Sequence, residues 1–110
     1  MDLALNMHKD KIYLEEIKEF CQKVIDFMDS VTYEHFLKDE KLQLAVIKLI
    51  ENIGEAASRI SLETQELYPR VDWMKAKAMR NRLVHEYMTV DLAIVFDVAT
   101  NEVPKLIKNL

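Results

Sequence analysis

The sequence predicts an all-α fold, an antiparallel up-and-down bundle of four main helices with short helical connectors. Three observations lead to this prediction. One glycine and two prolines in 110 residues are too few for a meander of short strands, whose hairpins need residues at positive φ. Apolar residues recur at the helical spacings of three and four. Residues that cap helices precede these periodic stretches.

The first periodic stretch predicts a helix over about residues 9–29, followed by a short segment. The apolar residues that recur along the helix are Tyr13, Ile17, Phe20, Val24, Phe27 and Met28. Thr32 can then cap a short helical segment that runs through Phe36.

A second long helix is predicted from Asp39 to about Ser61. Its apolar residues cover more than one narrow stripe, so we expect it to contact more than one neighbour. Gly54 costs about 1 kcal/mol relative to alanine inside a helix, which favours close approach of another backbone there. Glu51 and Glu55 lie four residues apart, away from the main apolar stripe, and are interpreted as solvated like charges.

The third helix follows a connector over residues 61–72, which has room for about one helical turn before Pro69. Asp72 is a suitable N-cap, so the third helix is predicted from Trp73 to about Tyr87.

The last helix is predicted to begin at Thr89 or Asp91 and to run to the end of the sequence. Pro104 lies inside its apolar pattern and removes one backbone donor. We therefore expect the helix to kink or restart near Asn101.

Composition indicates a single domain over residues 1–110 in a cytoplasmic protein. Cys21 is the only cysteine, which excludes an internal disulfide, and no signal peptide or membrane span is recognisable. The net charge of −4 argues against non-specific nucleic-acid binding by the whole surface. Residues 73–85 hold four basic residues and no acidic one, so an anion would bind there; a solvated helix face is the simpler interpretation.

The third helix has a second face that is small and apolar where a solvated face is expected. Its core face comprises Asp72, Ala76, Met79, Leu83 and Tyr87, and the opposite face comprises Met74, Ala78, Asn81 and His85. Such a face is usually covered, and a second copy of the chain is the natural candidate.

Arg80, Asn81 and His85 are the candidate site residues on this helix. Arginine suits phosphate and the extra charge of a phosphorane-like transition state, and histidine can transfer a proton near neutral pH. Asn81, four residues before His85, can fix the imidazole tautomer. Arg80 lies about 140° from His85 around a regular helix, so the two converge only if the helix frays or if each subunit completes the site of the other.

These residues also allow a structural interpretation, since a lone helical histidine is more often a surface or core residue than a catalyst. A metal site is not indicated, because His8, His35 and His85 are dispersed and Cys21 has no partner residue. No cofactor is predicted.

The stretch "MRNRLVHEY" (79–87), followed by "VDLAIVF" and "VPKL", resembles the HEPN superfamily and, within it, the HepT-like toxins of prokaryotic toxin–antitoxin pairs. The superfamily signature R-x(4–6)-H is matched from Arg80 to His85, and the HepT-like extension R-x(4)-H-x-Y ends at Tyr87. "NIGEAASRIS" (52–61), Trp73 and the opening "DKIYLEEI" are also similar, so the resemblance covers nearly the whole chain.

The resemblance implies a homodimer that acts as a metal-independent endoribonuclease on tRNA or mRNA. Arg80 would stabilise phosphate charge, His85 would transfer the proton, and Asn81 would orient the histidine or the phosphate. Arg82 would support phosphate binding, or would pair with Glu86 four residues later.

The resemblance further implies a protein partner, an antitoxin of the MntA-like nucleotidyltransferase type that adenylylates Tyr87. The added nucleotide would block the cleft and repel RNA phosphate. The alternative is a catalytically inactive dimeric HEPN module that binds a nucleotidyltransferase partner or nucleotides.

Overall fold

The computed structural model describes residues 3–83 and 89–110, and within these residues the chain is helical with no strand. The helices are α1 Leu3–Phe27, α2 Tyr33–Lys38, α3 Glu40–Ser58, α4 Leu62–Glu66, α5 Trp73–Arg82, α6 Leu92–Asp97 and α7 Val103–Lys108. A π-helical segment, Val98–Glu102, joins α6 to α7. The predicted all-α bundle is confirmed, with α1, α3, α5 and the α6–π–α7 unit as its four main helices.

Most helix starts agree with the capping residues that the sequence offers. Thr32 Oγ1 accepts from the His35 N–H at 3.1 Å to cap α2, and Asp39 Oδ1 accepts from the Leu42 N–H at 3.0 Å to cap α3. Each cap satisfies a backbone donor that has no partner inside the helix. α1, by contrast, begins six residues earlier than predicted, at Leu3, and ends at Phe27.

The second long helix ends earlier than predicted, at Ser58, because Ser61 begins the next helix. Its hydroxyl caps α4 by accepting from the Thr64 N–H at 3.4 Å. Asp10 of α1, buried at 3% exposure, accepts hydrogen bonds from the Ser61 N–H and from the hydroxyls of Ser61 and Thr64. These bonds fasten the first helix to the far end of α3, as expected for antiparallel neighbours.

The last helix begins at Asp91, one of the two predicted positions, whose carboxylate accepts from the N–H groups of Ala93 and Ile94. The interruption predicted from Pro104 is confirmed as the π-helical segment Val98–Glu102. There the Val103 N–H donates to the Val98 carbonyl, one residue further back than in an α-helix. This wider turn adapts the backbone just before Pro104, which cannot donate.

α3 lies at the centre of the bundle and contacts α1, α2, α5 and α6, as its broad apolar surface predicts. The core draws on every main helix, with fully buried residues such as Ile17, Val46, Ile53, Val95 and Val103. No helix in residues 3–83 or 89–110 is both long enough and apolar enough to cross a membrane.

Candidate active site

The candidate site is built on α5, whose core face fixes its orientation. The buried residues of this face are Trp73, Ala76, Met79 and Leu83. Asp72 was predicted on the same face, and that prediction was wrong: Asp72 is exposed and caps the helix by accepting from the Lys75 N–H at 3.1 Å. Nε1 of Trp73 donates to two backbone carbonyls of the preceding connector, each at 3.2 Å. These contacts hold the start of α5 against the bundle.

α5 ends at Arg82, with Leu83 as its C-cap, whereas the sequence predicts that it continues to about Tyr87. The Leu83 carbonyl accepts a hydrogen bond from the Asp91 N–H at 2.9 Å, so it is tied to the start of the last helix. Residues 84–88 lie outside the described part of the chain. The predicted roles of His85 and Tyr87 therefore stay predictions.

The backbone of α5 approaches α3 at Gly54, which confirms the expectation drawn from this glycine. A Cβ atom at Gly54 would lie 3.2 Å from the Arg80 backbone nitrogen, 3.4 Å from the Arg80 Cβ and 3.5 Å from the Lys77 carbonyl oxygen. A contact of 3.2 Å to backbone is tighter than side chains normally tolerate. The absence of a side chain at Gly54 thus sets how closely Arg80 sits against α3.

Arg80 points its guanidinium to the surface, where it forms an ion pair with Glu55 of α3. Arg80 Nη1 lies 3.6 Å from Glu55 Oε2, and the two side chains are 63% and 49% exposed. Arg59 donates from Nη2 to the other carboxylate oxygen, Oε1, at 3.0 Å. Exposed pairs of this kind contribute about 0–1 kcal/mol, so the Arg80 guanidinium can leave its partner at little cost.

Arg82 has a different environment, because it pairs with Glu102 of the π-helical segment; Glu86, its predicted partner, lies outside the described residues. Its Nη1 donates to Glu102 Oε1, and Lys75 Nζ lies 4.0 Å from the same oxygen. The Glu102 side chain is only 14% exposed, and its Oε2 is buried without a hydrogen-bond partner among the described residues. The hydrogen bond from Arg82 and the charge of Glu102 raise the pKa of Arg82 above its usual value. Arg82 is therefore committed to a contact inside the protein.

The outward face predicted on α5 is present in the described residues. Met74 is 82% exposed, Asn81 is exposed and Ala78 is half-buried. No group of three or more His, Cys, Asp or Glu in residues 3–83 and 89–110 is arranged to hold a metal ion.

Glu55 is the residue that sequence reasoning missed, since it was interpreted as one of two solvated like charges. It contacts both Arg59 and Arg80. The available signal was its position directly after Gly54, where close approach of another helix was already expected.

Comparison with known proteins identifies a family for the chain. The family model described as Ribonuclease HepT-like matches residues 13–110. A protein of Methanocaldococcus jannaschii named "Putative RNase" is 36% identical over 100 residues, covering 91% of this chain and 83% of its own length. "Probable ribonuclease HepT" of Thermococcus cleftensis is 36% identical over 99 residues, covering 90% of this chain and 88% of its own length.

A further relative, a "Putative RNase" of Caldanaerobacter subterraneus subsp. tengcongensis, is 33% identical over 104 residues, which cover 94% of this chain and 93% of that protein. No solved structure shows a significant match to the chain. The family match over most of the sequence supports ribonuclease activity. On these grounds the chain belongs to the HepT-like ribonucleases of the HEPN superfamily.

Proposed function

We propose that the protein is a metal-independent endoribonuclease toxin of a toxin–antitoxin pair, which cleaves RNA at a composite arginine–histidine site in a homodimer cleft. The observation that carries the proposal is the state of Arg80. In a chain of a ribonuclease family, its guanidinium is 63% exposed and, among the residues that the structure describes, its ion pair is with a solvent-exposed carboxylate. A guanidinium that is permanently charged, accessible and weakly held can bind a phosphodiester of RNA.

The proposed reaction uses the 2′-hydroxyl of the RNA as nucleophile. His85 of one subunit accepts the 2′-hydroxyl proton while the bond from the 2′-oxygen to phosphorus forms. The bond from phosphorus to the 5′-oxygen breaks, and His85 of the second subunit donates a proton to that leaving oxygen. Arg80 stabilises the extra negative charge on phosphorus-bound oxygens in the transition state. The products are a 2′,3′-cyclic phosphate and a 5′-hydroxyl, and no metal ion takes part.

The proposed homodimer places the outward face of α5 against its symmetry copy. Met74, at 82% exposure, is a large apolar side chain on that face, and Asn81 lies on it two turns later. A two-fold axis near this face brings two copies of the motif together. Because α5 ends at Arg82, before His85, the divergence of Arg80 and His85 on a regular helix no longer opposes a shared site.

Asn81 and Arg82 are proposed as supporting residues with different roles. Asn81 is exposed and free to orient His85 or a phosphate. Arg82 is occupied by Glu102, so we propose that it acts mainly by fixing the end of α5 rather than by contacting phosphate.

Regulation is proposed to act through Tyr87 and an MntA-like nucleotidyltransferase antitoxin. Adenylylation would place an anionic nucleotide two residues after His85, where it would exclude RNA and repel its phosphates. Co-expression with such a nucleotidyltransferase should add the mass of one or more AMP groups to the wild type and none to Tyr87→Phe.

The nuclease is tested by incubating purified protein with tRNA and with mRNA in excess EDTA. Wild type should cleave, while Arg80→Ala and His85→Ala should each lose at least about 100-fold in rate. Arg70→Ala and His8→Ala remove the same residue types from exposed positions outside the motif and should keep full activity. A strictly monomeric wild type, or equal rates in all forms, contradicts the proposal; a folded dimer without cleavage favours the inactive partner-binding module.

A further inference from the structure

The Glu55 carboxylate connects two guanidinium groups that come from different parts of the fold. Arg59, at the end of α3, donates to Oε1 at 3.0 Å, and Arg80 of α5 approaches Oε2 at 3.6 Å. Arg59 lies one helical turn after Glu55, so it can fix the rotation of the carboxylate without leaving α3. One oxygen is thereby anchored within α3, and the other is presented to Arg80.

We infer that Glu55 is a positioning residue for Arg80: it holds the guanidinium in place in the free protein and gives it up to a phosphate when RNA binds. The inference rests on the proposed ribonuclease function. A carboxylate and a phosphate both offer two oxygens to the planar fork of a guanidinium, so one can stand in for the other.

The surroundings of Glu55 make this exchange possible. When Arg80 turns to a phosphate, Glu55 keeps its contact with Arg59 and stays about half exposed to water, so no charge is left buried and unpaired. Glu102 offers the contrast, because loss of Arg82 would leave a nearly buried carboxylate whose remaining ion-pair partner within residues 3–83 and 89–110 is Lys75 at 4.0 Å. Of these two arginines, Arg80 is therefore the one that can change partner.

The backbone contact at Gly54 limits where the exchange can occur. Gly54 fixes the Arg80 backbone against α3, and Glu55 is the next residue along that helix. Only the Arg80 side chain can then move, over the short range between the carboxylate and an incoming phosphate. A guanidinium held this way loses less rotational freedom on binding RNA than one that starts unconstrained.

Replacing Glu55 by glutamine should change RNA binding rather than the chemical step. Glutamine still offers an oxygen to the guanidinium, but without the charge it competes less strongly for Arg80, so RNA should bind more tightly. The contact between Arg80 and residue 55 is already broken in the RNA complex, so kcat should change little and kcat/KM should rise. A residue that merely stabilises the fold would not tighten RNA binding in a way that depends on Arg80.

The experiment compares Glu55→Gln with Glu51→Gln, which removes the same charge from α3 one turn earlier. Cleavage of a short RNA gives kcat and KM, and a 2′-O-methyl RNA of the same sequence, which lacks the nucleophile, gives Kd. Glu55→Gln should lower Kd and KM by about two- to tenfold and change kcat by less than about twofold, so that kcat/KM rises. Glu51→Gln should leave kcat within about twofold, with a smaller change in Kd than Glu55→Gln.

The Arg80→Ala background separates this inference from general charge repulsion. In that background, Glu55→Gln should no longer tighten the binding of 2′-O-methyl RNA. The inference is overturned if tightening persists without Arg80, if Glu51→Gln produces equal changes, or if Glu55→Gln leaves Kd unchanged. If wild type and Arg80→Ala cleave RNA equally, the nuclease proposal fails, and the binding comparison still decides the role of Glu55. If no form binds RNA, both are overturned.

Discussion

Breaking the contact between Arg82 and Glu102 should destabilise the fold, and the pair can be isolated by a double-mutant cycle. Arg82 lies on the last turn of α5, and Glu102 lies at the end of the π-helical segment. The contact therefore ties the helix that carries the candidate site to the last helix of the bundle. The variants are Arg82→Ala, Glu102→Ala and the double substitution.

The expected coupling free energy is about 2 kcal/mol, between the values for exposed and for buried pairs. Unit charges 4 Å apart attract by about 4 kcal/mol at an effective dielectric constant of 20. Part of this attraction is offset by desolvation of Glu102, whose side chain is 14% exposed; Arg82 is 35% exposed, so water also screens the pair. Exposed pairs contribute about 0–1 kcal/mol, while breaking a fully buried pair costs about 3–5 kcal/mol.

The assay is urea unfolding of the four forms, with the coupling taken from their free energies of unfolding. Lys23 and Glu19 serve as the control cycle, because this pair is 3.5 Å apart and both side chains are at least half exposed. The control should give a coupling below about 0.5 kcal/mol. A coupling for Arg82 and Glu102 that is no larger than the control would refute the anchoring role.

Three further predictions concern the fold around the site. Asp10→Ala should lower the free energy of unfolding by about 2 kcal/mol at pH 7, since the carboxylate accepts several charge-assisted hydrogen bonds. Burial raises the pKa of Asp10, but the hydrogen bonds from Ser61 and Thr64 outweigh this effect and hold the pKa below its usual 3.8. The stabilisation is therefore present above pH 3.8 and is lost as the pH falls through the lower pKa of the folded protein. At that low pH, urea unfolding should give similar stabilities for the wild type and Asp10→Ala. Gly54→Val should lower the free energy of unfolding by about 1–3 kcal/mol, because its side chain overpacks against the Arg80 backbone. Gly54→Ala should lower it by less, because alanine has a helix propensity about 1 kcal/mol more favourable than glycine. Thermal unfolding of both variants measures the difference. Cys21 is fully buried, and burial raises the pKa of its thiol to about 12. An aromatic disulfide reagent at about pH 8 should therefore react with Cys21 only after the protein unfolds. Rapid reaction of the native protein would contradict this prediction.

The sequence predicted best those features that depend on local signals. Capping residues such as Asp39 and Asp72 act on backbone groups two or three residues away, so their positions located the starts of α3 and α5. Pro104 likewise marked the π-helical segment, because a missing donor disturbs the preceding turn.

Contacts between distant residues were not predictable in the same way. The hydrogen bonds of Asp10 join residues 51 and 54 positions apart. Its spacing from Leu14 and Ile17 places Asp10 on the buried face of α1 but does not identify its partners. Arg82 contacts Glu102, which is 20 residues away, whereas local spacing suggests only Glu86, a residue outside the described part of the chain. Such pairs depend on how helices pack, which periodicity does not specify.

The two arginines of the motif hold α5 from opposite sides. Arg80 and Arg82 are two residues apart, which places them about 160° apart around the helix. Arg80 meets Glu55 from α3, and Arg82 meets Glu102 from the last helix, so rotation of α5 about its axis would lengthen one pair or the other. The pairs differ in strength, because one is exposed and the other is nearly buried. An RNA phosphate that displaces Glu55 from Arg80 would therefore leave α5 held by Arg82, and the helix would keep its orientation while its exposed cation changes partner.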